Sequence, residues 1–142
     1  MLKGIPPTIS PDLMHVMMSM GHGDELVLGD GNFPAASNAQ RLVRADGLGV
    51  PELLEAILKF FPLDTYVPDP AVVMQVVPGD NAVPLIWEEY ARILSDAEGR
   101  KIGLTHIERH EFYARARNAF AIVATSEKAL YANIILVKGV VK

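Results

Sequence analysis

The sequence predicts a single-domain α/β fold, a mixed sheet of about six strands with helices on both faces. Three observations predict it. Short apolar and β-branched runs alternate along the chain with segments whose apolar residues recur at helical spacing. Half of the 142 residues are apolar, enough to build a core in a chain of one-domain length. No internal repeat or low-complexity tract divides the chain, so residues 1–142 are expected to form one domain.

The elements follow in order. Ser10, Pro11 and Asp12 read as a helix start, a hydroxyl cap followed by a preset proline and an acid at the positive dipole end. Leu13, Met14, Met17 and Met18 continue at helical spacing, read as core packing, and Gly21 is the expected stop, giving a helix over 11–20. Glu25 to Gly29 reads as a short buried strand that places Asp30 at its carboxyl end, before an irregular loop rich in Gly, Asn and Pro. Arg41 to Ala45 is a second strand. Pro51 to Phe61 is a helix with Leu53, Leu54, Ile57, Leu58 and Phe61 on one face, stopped by Pro62. The proline-rich stretch from Pro62 to Pro70 is an ordered loop.

Ala71 to Val77 is β-rich and bounded by prolines, and Pro84 to Ala97 returns to helical phase, with Trp87 as an anchor of that helix. Leu104 to Glu108 is a weaker strand, Glu111 to Asn118 a short helix, and Phe120 to Thr125 and Ile134 to Lys138 are the last two strands. The tally is about six strands and about four helices in mixed order, the pattern of one sheet with helices packed on it.

Composition removes several function classes. There is no cysteine, hence no disulfide framework, thiolate nucleophile or Cys-bearing zinc site. The N-terminus breaks at Pro6 and Pro7 without the apolar core of a signal peptide, so a cytoplasmic location is expected. No apolar run approaches the roughly 20 residues a membrane crossing needs, so no membrane partner is expected. A net charge of −4 with scattered Lys and Arg gives no basic stripe for nucleic acid. Gly29-Asp30-Gly31 lacks the spacing of a dinucleotide fingerprint, there is no P-loop, and no serine sits in a GxSxG context.

Four places carry polar chemistry. His22 lies between two glycines just past a helix; an imidazole there suits proton transfer near neutral pH, or simply closes a helix C-cap. Asp24 and Asp30 bracket the strand that follows, on one side if the segment stays regular, or as loop-capping carboxylates. His106, Arg109 and His110 lead into a helix; their spacing invites a metal reading but lacks HExxH, while the guanidinium of Arg109 can grip adjacent sugar hydroxyls or pair with Glu108 or Glu111. Tyr131 and Asn133 face the same way across an extended tripeptide, so a phenol and an amide line one wall of a pocket, unless the first is a rim residue and the second a turn former.

These segments coincide with a known pattern. The sequence resembles the L-fucose mutarotase/D-ribose pyranase family along nearly its whole length. The resemblance is carried by Leu2-Lys3-Gly4 with Ile9-Ser10-Pro11, Met20 to Glu25, Asp30 with Phe33-Pro34-Ala35, and Arg44 to Leu48. Phe112 to Ala116 and Tyr131 to Leu136 with Lys138-Gly139-Val140 complete it, and six ordered segments are far more specific than any one.

The resemblance implies ring opening and reclosure of a free monosaccharide without a cofactor or metal, with His22 as proton donor and Asp30, Arg109, Tyr131 and Asn133 binding the sugar. It also implies self-association into a homo-oligomer, with a decamer as one form and pockets near subunit contacts. The family's fucose branch has an arginine where Arg109 stands and the ribose branch a histidine, which favours fucose. The stretch from Pro62 to Gly103 matches less well, so Asp69-Pro70 and Asn81 to Pro84 are candidates to reshape the pocket rim. Three rivals stand beside L-fucose mutarotase: a non-catalytic monosaccharide-binding or transport-accessory protein, a D-ribose pyranase, and a metal hydrolase around His106 and His110.

Overall fold

The strand β1 (Glu25–Gly29) has three consecutive apolar residues, Leu26, Val27 and Leu28, and all three are fully buried. A strand apolar on both sides needs cover on both faces, and the computed structural model, which describes residues 1–142, shows that cover. Six strands form one sheet in the order β2-β5-β1-β6-β3-β4, with β2 at Leu42–Ala45, β3 at Ala71–Met74, β4 at Thr105–Ile107, β5 at Ala121–Thr125 and β6 at Ile134–Val137. β2, β5 and β1 run parallel, as do β3 and β4; only β6 is reversed, antiparallel to both β1 and β3. The five other strands therefore point their carboxyl ends toward one edge of the sheet.

The two-residue side-chain period divides the core into two. Leu26, Leu28, Val73, Val123, Ile134 and Leu136 face one cluster of 26 buried residues, covered by α1 (Pro11–Ser19), α3 (Val50–Ile57) and α4 (Ile86–Glu98). Val27, Val72, Ile122 and Ile135 face a second cluster of 11, covered by α2 (Ala35–Asn38) and α5 (Arg109–Asn118). Helices thus lie on both faces, as the sequence predicts. The edge strand β4 is three residues long and carries Thr105 and exposed His106, which leaves little unpaired ladder for another chain. No helix is long and apolar enough to cross a membrane.

Several boundaries differ from the sequence reading. Ser10 caps α1 as expected, its Oγ accepting from Leu13 N at 3.1 Å, but the helix ends at Ser19 because Met20 turns extended to reach the core. Met17 is buried with Leu13 and Val16, whereas Met18 is exposed, so the methionine stripe is not wholly core. β3 stops at Met74 where the chain leaves the ladder, well short of Val77. α5 begins at Arg109 rather than Glu111, because the Glu108 carboxylate accepts from His110 N and Glu111 N and starts the helix earlier. α2 has no counterpart in the sequence reading; four residues carry no helical period.

Candidate active site

A cavity of about 200 Å³ opens at the carboxyl edge of the sheet, between the ends of β1 and β3 and the start of β6. Ligand clefts in sheets of this kind sit outside the carboxyl ends of the strands, where connections part in opposite directions. Its size falls below the usual range of about 300–1,000 Å³ for drug-sized ligands and suits a single sugar ring. Asp30, Asn32 and Phe33 enter from the loop after β1, and Met74 and Asp80 from the end of β3 and the loop beyond it. Tyr113 enters from α5, and Leu130, Tyr131 and Asn133 from the approach to β6. A larger hollow of about 500 Å³ under the N-terminal segment, lined by Met1, Leu2, Ile5, Pro6 and Met14 among others, contains no ionisable side chain.

Asp30 and Asn133 are both buried and hold each other: Asn133 Oδ1 accepts from Asp30 N at 2.8 Å, which leaves the Asn133 amide nitrogen as a donor toward the cavity. Asp30 Oδ1 accepts from Asn32 N at 2.9 Å. The turn is tight because residue 29 is glycine; a Cβ there would lie 2.9 Å from the Phe33 ring, which folds back beneath it. Phe33 meets Phe112 and Tyr113 edge-on at 5.9 and 5.5 Å, a set of contacts that fixes the apolar wall.

Burial pushes the Asp30 carboxyl above the ordinary carboxylate range, against the pull of backbone N–H groups of Asn32, Ala132 and Phe33 and with the help of the Glu127 charge. The folded chain therefore holds this proton to a higher pH than the unfolded chain does. The stability it contributes is complete below the unfolded value and is lost as pH rises through the folded one. Asp30→Asn removes the charge at nearly constant shape. Its melting temperature is expected to equal or exceed that of the wild type at neutral pH, with the two converging in acid, as thermal melts across that range will show.

Tyr131 is the one non-glycine residue with positive φ, at 57°. Such a conformation costs of order 1 kcal/mol or more and persists where the surroundings impose it. Here Trp87 Nε1 donates to Tyr131 O at 2.8 Å, and the fully buried Tyr90 hydroxyl donates to Ala132 O at 2.7 Å, so the first turns of α4 fix the segment. Trp87 thus anchors the Tyr131 turn as well as its own helix. Tyr131 and Asn133 do share one wall, as expected, but through this left-handed turn and not through an extended tripeptide. The Tyr131 hydroxyl donates to Asp80 Oδ2 at 2.5 Å. That bond, followed by burial, raises the phenol's pKa, while the nearby positive charge of Arg109 pulls it down. Arg109 is exposed at the start of α5 and pairs with neither Glu108 nor Glu111; its guanidinium lies 3.4 Å from His110 Nε2.

His22 is elsewhere. It precedes β1, whereas Asp30 follows it, and β1 alone separates them by about 13 Å of strand rise. β6 repeats the separation, since Ile134 pairs with Leu28 near the cavity and Val137 with Glu25 near His22. At that far edge His22 Nε2 lies 3.1 Å from Oδ1 of buried Asp64, which also accepts from Thr65 N and Tyr66 N. Burial alone would raise the Asp64 carboxyl, but the bonds from Tyr66 N, His22 and Thr65 N prevail and hold it below the usual range. Gly139 lets the chain close on this loop: a Cβ there would lie 2.5 Å from Leu63 O. Asp24 does not face Asp30 across a regular strand; it stays beside His22 as a turn cap, accepting from Gly21 N at 2.7 Å. The two histidines of the metal reading also part, His106 lying edge-on to Trp87 at 4.7 Å and His110 beside Arg109, and no three His, Asp or Glu side chains gather as a metal-ligating group.

A family model for the RbsD / FucU transport proteins matches residues 3–141. The chain belongs to that family. It is 56% identical to the fucose mutarotase of Homo sapiens over 98% of this chain and 94% of that protein. The crystal structure of the fucose mutarotase of Streptococcus pneumoniae in complex with L-fucose superposes with a TM-score of 0.95 at 51% identity, covering 99% of this chain and 100% of that one. RbsD of Bacillus subtilis, solved with D-ribose, shares the fold at a TM-score of 0.72 and 18% identity, with full coverage of both chains. Asp64 and Asp80 are absent from the sequence reading; the Pro78-Gly79-Asp80-Asn81 run signals a turn, but nothing in it names the phenol 51 residues away.

Proposed function

We propose that this family member is an isomerase that exchanges the anomers of L-fucose, with His22 as proton donor and Asp30, Arg109, Tyr131 and Asn133 as the sugar-binding groups. The observation that carries the reading is the cavity at the carboxyl edge, where a raised carboxyl, an amide and a phenol converge on a space for one sugar ring. Opening the hemiacetal needs a proton delivered to the ring oxygen and one removed from the anomeric hydroxyl, and reclosure reverses both. Asp64 occupies Nε2 of His22 and leaves Nδ1 for the sugar. L-Fucose carries a methyl group where most hexoses carry a hydroxymethyl, and Phe33, Met74 and Leu130 offer that methyl an apolar wall.

Because one protomer holds His22 and the cavity at opposite edges, the reading includes a homo-oligomer in which the His22 edge of one protomer closes the cavity of the next. Both edges carry apolar surface suited to that contact. Tyr66 and Val141 are exposed on the His22 side, where the Tyr66 ring lies 5.2 Å from His22, and Val83, Leu85 and Leu130 are exposed beside the cavity. Unlike patches that meet head to tail generate rings where the rotation between protomers closes.

Saturation-transfer NMR on free sugars tests the activity. Irradiating one anomeric proton of L-fucose is expected to bleach the other anomer when the protein is present, with a weaker effect on D-ribose. Binding of fucose without transfer would instead favour the transport-accessory reading, and faster exchange on D-ribose the pyranase reading.

A further inference from the structure

The parallel strands β2, β5 and β1 end side by side at the carboxyl edge, and the loops that leave them converge on one residue outside the cavity. Glu127 lies two residues past the end of β5, the middle strand of the three, and does not line the cavity. Its backbone oxygen accepts from Gly31 N at 2.9 Å, in the turn that carries Asp30. Its Oε1 accepts from Ala129 N at 2.9 Å, where the approach to β6 that carries Leu130, Tyr131 and Asn133 begins. Its Oε2 accepts from Val50 N at 3.0 Å, at the first residue of α3. One residue thus ties two walls of the cavity to each other and to a helix whose Val50, Leu53, Leu54 and Ile57 are fully buried.

The surrounding chain is built to admit this residue. A Cβ at Gly31 would lie 3.1 Å from Glu127 O, and one at Gly49 would lie 3.0 Å from Glu127 Oε2. Neither glycine has a positive φ, so close approach to Glu127 is what a side chain there would disturb. Neighbours reinforce the same junction: Thr125 Oγ1 accepts from Glu127 N and donates to Gly29 O, and Ser126 Oγ accepts from Gly47 N. The bond to Val50 N is charge-assisted and sits at the positive end of a helix dipole, which makes it the firmest anchor the loop has. A sugar gains affinity from groups already in place, because ordering loops on binding subtracts from the contacts made.

We propose that Glu127 is a positioning residue for sugar binding, locking the Asp30 turn and the 129–133 segment to the start of α3 so that the cavity holds its sugar-accepting shape before the sugar arrives. Glu127 itself touches neither the sugar nor its reacting atoms. The inference rests on the reading of this cavity as the L-fucose site and goes beyond it by giving a residue outside the cavity control of affinity.

Glu127→Gln keeps the size of the side chain but turns one terminal oxygen into a donor, so it can hold Ala129 N or Val50 N and not both. With the full-length protein, titration calorimetry reads the Kd for L-fucose and saturation transfer reads exchange at saturating sugar. The expected result is a Kd raised about tenfold, with exchange at saturation within about threefold of wild type. Gly49→Ala leaves Glu127 and every cavity residue in place but crowds the carboxylate, and should raise the Kd about threefold. Combining the two should weaken binding no further than Glu127→Gln alone, since both break the same contact. Glu52 supplies the control: its Oε1 accepts from Gly49 N at 2.9 Å, so it supports the same helix start from within α3 without reaching the β5–β6 loop. Glu52→Ala is expected to lower the melting temperature while leaving the Kd within about twofold of wild type.

A Kd within about twofold of wild type in Glu127→Gln overturns the proposal. So does a Kd raised equally by Glu52→Ala, which would make the stability of α3 alone the source of affinity. Should Glu127→Gln fail to fold, Gly49→Ala decides: wild-type affinity in that variant overturns the proposal, and the threefold loss supports it. If the wild-type protein itself does not bind L-fucose, the reading of the cavity fails first, and that outcome is distinct from all of these.

Discussion

Replacing His22 with alanine is expected to slow fucose anomer exchange by about 10²–10⁴-fold while leaving the melting temperature nearly unchanged. The size of the loss follows from the chemistry. Without a positioned acid the ring oxygen must draw its proton from water, and a placed general acid contributes about that factor. The small effect on folding follows from the environment: the His22 side chain is 45% exposed, so truncation opens no core cavity. Asp64 loses one partner but keeps Thr65 N and Tyr66 N, so its buried carboxylate is not orphaned. Fucose affinity should change little, since the groups proposed to bind the sugar lie on the other edge of the same protomer. Exchange NMR, calorimetry and a thermal melt on one preparation read all three quantities, and wild-type exchange rates would remove His22 from the mechanism.

The contrast between what the sequence predicts and what the fold adds has a physical basis. β1 is legible to the residue because Leu26, Val27 and Leu28 form an uninterrupted apolar run between two turn signals. The helices are legible wherever apolar residues keep a period over several turns, and illegible in α2, where four residues cannot express one. Chain ends of elements drift where a side chain decides them, as Glu108 does for α5.

The site divides along the same line. His22, Asp30, Tyr131 and Asn133 stand beside recognisable turn or strand boundaries, and the family resemblance implies the roles proposed for them. Asp64 and Asp80 carry no sequence signal of their partners, which lie 42 and 51 residues away and become neighbours only when the sheet forms. Nor does any spacing reveal that Asp30 and Asn133, separated by 103 residues, meet at the carboxyl edge while His22 stays at the other. That separation requires knowing that β1 and β6 pair antiparallel along their length.

The most direct test of the central claim, that anomer exchange comes from a His22 and an Asp30 cavity belonging to different protomers, is a mixing experiment. His22→Ala and Asp30→Asn proteins, each expected to be nearly inactive alone, are co-refolded in equal amounts and assayed for L-fucose exchange. With random assembly and head-to-tail contacts, about a quarter of the sites pair an intact His22 edge with an intact Asp30 cavity, so the mixture should regain about a quarter of the wild-type rate. A mixture that forms hybrid oligomers yet stays as inactive as its two components would contradict the account.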